Sequence, residues 1–85
     1  MYLHLGKGFV ISTGELVGIF DLDITSQSHL TRKYLSQAEK AGQVINTAED
    51  LPKSFVITCA EGKQRVYLSQ MASSTLLRRA EHELE

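Results

Sequence analysis

Three histidines, one cysteine and two closely spaced aspartates are the residues of this chain best suited to chemistry. His4, His29 and His82 are scattered, with no paired metal-ligand spacing and no Cys-x-x-Cys. His4 alternates with apolar neighbours, as a structural or interface histidine does. Cys59 lies within an apolar run and is expected to be an inert buried thiol. Asp21 and Asp23 would share a face on a strand and could hold a cation or a proton between them. The polar residues that follow favour two solvated loop carboxylates instead. Gly6-Lys7-Gly8 lacks the Gly-Lys-Ser/Thr frame and following helix of a phosphate loop, and reads as a turn. With no nucleophile–base constellation, a small enzyme or metal protein built on Asp21, Asp23 and His29 is the least favoured class. No catalytic residue, metal or other cofactor is expected.

Basic side chains are the other candidates. Arg32-Lys33, Lys40, Lys53, Lys63, Arg65 and Arg78-Arg79 fall in small groups, each of which taken alone reads as a solvated face. Nine basic against ten acidic side chains leave a net charge of −1. That balance gives no whole-chain attraction to nucleic acid or to anionic membranes, so any such contact needs a local patch. An oligomer changes the arithmetic, because one or two cations repeated in every subunit line up many phosphate contacts.

The elements that must position these groups follow from periodicity. Residues 2–5 and 9–12 read as short strands around the Gly6–Gly8 turn. Residues 15–23 form an almost continuous apolar strand with Gly18 at its centre. Glycine weakens a strand interior unless a bulge or a close backbone approach uses the missing side chain. The polar stretch 21–28 reads as a loop. Leu30, Tyr34, Leu35, Ala38 and Ala41 then recur at helical spacing, with Ser28 as N-cap and Gly42 as the stop. Val44-Ile45 suggests a brief strand before a 46–50 loop that Leu51-Pro52 closes. Residues 54–60 are apolar on both faces, which marks a central strand. Glu61–Gln64 turns the chain into a half-exposed strand at 65–69. Ser73 or Ser74 is expected to cap a last helix, with Leu76, Leu77, Ala80 and Leu84 apolar. Its arginines come early and its glutamates late, against the helix dipole, each at a cost of roughly 0.3–1 kcal/mol when exposed.

The layout is β-β-β-α-β-β-β-α, an α+β fold with a small, mostly antiparallel sheet and two helices, in one domain over residues 1–85. An apolar fraction of 42% with one proline describes a folding chain. At 85 residues a single core stabilises only marginally, and oligomerisation adds buried apolar area. The lone cysteine fits a reducing compartment. No signal peptide or membrane-length apolar run is visible, so a cytoplasmic location is expected. Leu84-Glu85 reads equally as a native end or a cloning remnant.

Ser12-Thr13, Leu16-Val17-Gly18-Ile19-Phe20-Asp21, Pro52-Lys53-Ser54-Phe55-Val56-Ile57-Thr58, Val66-Tyr67-Leu68-Ser69, Ser74-Thr75-Leu76 and Arg79 occur in an order and spacing that resemble the bacterial extracellular matrix regulator RemA/RemB family. The likeness is greatest to its RemB branch. It implies a non-enzymatic cytoplasmic regulator of biofilm-matrix genes that assembles with itself, in the RemA branch as rings that wrap promoter DNA against repeated basic residues. Where that branch carries arginines, this chain has Glu15 and the segment Asp50-Leu51-Pro52-Lys53, in which only Lys53 is positive. The DNA-binding candidates are therefore Lys53, Arg32, Lys33, Arg78 and Arg79. The alternative is an interaction scaffold that assembles with itself or a paralogous subunit and binds no DNA.

Overall fold

The computed structural model describes residues 2–22 and 29–84, with side chains through Glu81. Asp23, the proposed Ser28 cap and the side chains of His82 and Leu84 lie outside what it describes. The fold is α+β, as the periodicity predicts.

β1 (Tyr2–Gly6) and β2 (Phe9–Ser12) make an antiparallel hairpin whose turn residues, Lys7 and Gly8, sit at φ 50° and 77°. That pair of left-handed residues matches the twist of the flanking strands. A single 3-10 turn (Thr13–Glu15) leads into β3 (Leu16–Asp21). After helix α1 (His29–Lys40) come β4 (Val44–Asn46), β5 (Ser54–Ala60), β6 (Lys63–Ser69) and helix α2 (Ser73–Leu84). The four-stranded sheet runs β3-β5-β6-β4, antiparallel except for the β4–β6 pair.

β5 is central, as its doubly apolar sequence requires. Its alternate residues feed two separate cores. Val56 packs with Leu3, Leu5, Ile11, Leu76 and Ala80 under the hairpin and α2. Phe55, on the opposite face, packs with Val66 and Ala38 under α1. The molecule is thus a sheet sandwiched between two unlike layers, each buried leucine or valine stabilising it by about 1.5–3 kcal/mol.

This sandwich corrects the reading of residues 65–69. The strand is interior, with Val66 and Ser69 fully buried. The alternating polar positions belong to the layer against the hairpin: the Ser69 hydroxyl donates to the Leu5 carbonyl at 2.7 Å and accepts from the Met71 N–H at 3.1 Å. The turn before it is tighter than expected, with only Glu61 and Gly62 outside the ladder, at φ 54° and 78°.

Gly18 satisfies both readings of a strand glycine. The register slips between Leu16 and Gly18, leaving Val17 as a bulge. The Phe20 ring then folds back over Gly18, so that a Cβ there would lie 2.7 Å from a ring carbon. Gly42 ends α1 at φ 73°, with its N–H bonded to the Glu39 carbonyl and that of Gln43 to Ala38. At the start of α2, the Leu76 N–H reaches the Ala72 carbonyl, which places Ala72, not a serine, at the cap. The Ser73 hydroxyl faces Asp21 Oδ2 at 3.4 Å instead.

Candidate functional site

Lys53 stands where the loop after β4 enters β5. Its backbone is held on both sides: its N–H donates to the Ser69 carbonyl at 2.8 Å, and its carbonyl accepts from the Leu22 N–H at 3.0 Å. The side chain is exposed. The next residue, Ser54, is buried and donates its hydroxyl to the Met71 carbonyl at 2.8 Å. Met71 in turn receives the Arg79 guanidinium on its sulfur at 3.7 Å. Met71 therefore links the Lys53 loop to the arginine face of α2. Leu76 and Ala80 bury the other side of that helix, which leaves Arg78 and Arg79 in solvent.

Arg32 and Lys33 do not join this group. They are exposed on α1, which covers the opposite face of the sheet. Of the five sequence-derived candidates, Arg78 and Arg79 lie on α2 and Arg32 and Lys33 on α1, on opposite sides of the sheet, while Lys53 lies at the entry to β5.

A further pair of cations shares one face of β6. Lys63 and Arg65 line a hollow of about 160 Å³ together with Glu15, Glu61, Thr58, Ala60 and Tyr67. Thr58 is the ladder partner of both Leu16 and Arg65, which brings the 3-10 turn bearing Glu15 over this row. Glu15 thus adds negative charge where two cations converge. The sequence signal was present: a two-residue turn at Glu61-Gly62 fixes Thr58 opposite Arg65 by counting back.

The other chemistry-bearing residues are dispersed. Cys59 is exposed, contrary to the expected buried thiol, because α1 packs over β4 and β6 and leaves the end of β5 uncovered. It lines an open hollow of about 490 Å³ with Gly42, Gln43 and the 62–65 segment. His4 is exposed on the outer face of the hairpin. Among the described residues, no three His, Cys, Asp or Glu side chains gather as a metal site. Every buried side-chain nitrogen or oxygen described has a hydrogen-bond partner.

A family model described as extracellular matrix regulatory protein A-like matches residues 2–80. The chain belongs to the RemA-like family. It is 38% identical to extracellular matrix regulatory protein B of Bacillus subtilis (strain 168), over the whole of this chain and 96% of that protein. This RemA-like chain carries exposed basic residues on both of its outer layers and acidic residues at the Glu15 hollow. No helix among the described residues of this RemA-like chain is long and apolar enough to cross a membrane.

Proposed function

We propose that this chain is a non-catalytic, self-assembling regulator of extracellular-matrix genes in the cytoplasm, and that it engages duplex DNA only as an assembly. One observation carries this reading: Lys53, Arg78 and Arg79 are all exposed, but they are too few cations for one copy to hold a duplex alone. Repeated around an oligomer, they form a phosphate-binding rim.

Salt dependence tests it. Three neutralised phosphates give a slope of log affinity against log salt of about −2.7, so an assembled binder must be steeper. Lys53→Glu and Arg78→Glu should each weaken binding across all duplex sequences. A folded oligomer that shifts no duplex at low salt overturns DNA binding. The second reading, a scaffold that pairs with a paralogous subunit, then stands; it is favoured by the placement of Glu15 beside Lys63 and Arg65. Co-purification with such a subunit is its direct test.

A further inference from the structure

Two of the most exposed large apolar side chains are leucines fixed on ordered elements. Leu51 is 81% exposed and Leu30 is 75% exposed. Leu51 sits at the tip of a loop that hydrogen bonds hold in one shape. Thr47 donates both its N–H (2.9 Å) and its hydroxyl (2.7 Å) to the Leu68 carbonyl. The Ala48 N–H is held by Asn46 Oδ1, that of Glu49 by Gln70 Oε1 and that of Leu51 by Asp50 Oδ1. An apolar side chain held out in this way has already lost the backbone freedom that docking would otherwise cost.

Leu30 forms one wall of an apolar groove between α1 and the β3–β5 side of the sheet. Phe20, Thr31, Tyr34, Phe55 and Ile57 complete it, around a hollow of about 210 Å³. That exceeds the ~150 Å³ apolar cavity known to accept a benzene-sized group. The surroundings of the two leucines differ in charge. Glu49 and Asp50 immediately precede Leu51, against one cation, Lys53, beyond Pro52. The groove wall carries exposed Lys33 three residues after Leu30, on the same side of the helix.

We infer that the Leu51 loop of one copy seats in the Phe20–Leu30 groove of the next, with Lys33 facing the incoming Glu49 and Asp50. This rests on the self-assembly reading above and names its contact surface. Loop and groove are different parts of the chain, so the contact is head-to-tail: every copy offers one of each, and growth ends only where the chain of copies closes. Lys33 then serves the assembly and leaves phosphate contact to Lys53, Arg78 and Arg79.

The test is the mass in solution of the full chain and of two variants, Leu51→Ser and Leu30→Ser, both at exposed positions that the fold does not need. The wild type should be an oligomer, and each variant should fall to the 9.5 kDa of one chain. Mixed, the variants should give a dimer and nothing larger, because one retains an intact groove and the other an intact loop. Lys33→Glu and Glu49→Lys should each weaken the oligomer, and the two together should restore it, since the Glu49 carboxylate holds none of the loop's hydrogen bonds given above. A monomeric wild type overturns the self-assembly reading itself. A wild-type oligomer whose mass neither serine variant changes overturns this contact alone. Variants that dissociate yet form no mixed dimer overturn the head-to-tail arrangement.

Discussion

Gly18→Ala should destabilise this fold, but only while Phe20 is present. The new Cβ would lie 2.7 and 2.8 Å from two carbons of the Phe20 ring, closer than carbon atoms pack. The ring is 37% exposed and can swing outward, so the clash is relieved rather than borne. Relief separates it from Phe55, on which it now stacks at 5.0 Å and 19°. Losing an aromatic pair costs about 0.5–1.5 kcal/mol. Leaving the preferred rotamer costs about 0.5–1.5 kcal/mol more. Against this, alanine in a strand recovers about 0.5–1 kcal/mol of the backbone entropy that glycine loses. The net loss is about 1 kcal/mol, or about 4–8 °C in Tm for a domain of this size. In a Phe20→Ala background the opposing ring is gone and only the entropy gain remains. There the same substitution should stabilise by about 0.5–1 kcal/mol. Urea unfolding of the four proteins measures both values under matched conditions. The same sign in both backgrounds would refute the account of Gly18 as the seat of the Phe20 ring.

Other substitutions test other parts of the fold. Ser69→Ala removes a buried hydroxyl bonded to Leu5 and Met71, and should lower unfolding stability by about 1–3 kcal/mol in urea. Glu61→Asn relieves a side chain held at φ 54°, and should raise the Tm by a few degrees with no change in secondary structure. Gly42→Ala places a Cβ at φ 73°, where nothing crowds it within 4 Å. Its cost, read by thermal melting, should therefore be the backbone term alone, about 1 kcal/mol.

The fold was legible where a residue's role depends on its own strand. β5 could be placed at residues 54–60, and at the centre, because apolar residues occupy both of its faces. Gly18 could be marked as a bulge or a close approach, and it is both. What the sequence concealed depends on which layer covers which part of the sheet. Cys59 read as core because its neighbours are apolar, yet α1 leaves it uncovered; Leu30 falls at helical spacing with Tyr34 and Ala38, yet it is exposed near the start of α1. Ser69 ends a strand that read as half-exposed, yet the hairpin covers it, and its hydroxyl bonds to Leu5 and Met71. The same limit applies to the cations. Their types and positions were visible, but the link from Ser54, beside Lys53, to Arg79 through Met71, and the meeting of Glu15 with Arg65, exist only once strand order and register are set.

A net charge of −1 is compatible with a phosphate-binding face on this fold. The described residues span 35 × 28 × 21 Å, whereas charges are screened over about 8 Å at physiological ionic strength. The two outer layers therefore act as electrostatically separate surfaces, and the carboxylates at Glu15 and Glu61 weigh most heavily on Lys63 and Arg65 beside them. Among the described side chains, what opposes a duplex at α2 is Glu81, on the same helix as Arg78 and Arg79. Assembly multiplies both signs equally, so it strengthens binding only where cations outnumber carboxylates within a screening length of the phosphates. Removing Glu81 should then raise DNA affinity more than removing Glu15, although Glu15 stands where the family resemblance leads one to expect an arginine. Glu81→Gln and Glu15→Gln, compared by duplex titration at one salt concentration, separate these contributions. A larger gain from Glu15→Gln would move the phosphate surface from α2 to the Lys63–Arg65 row.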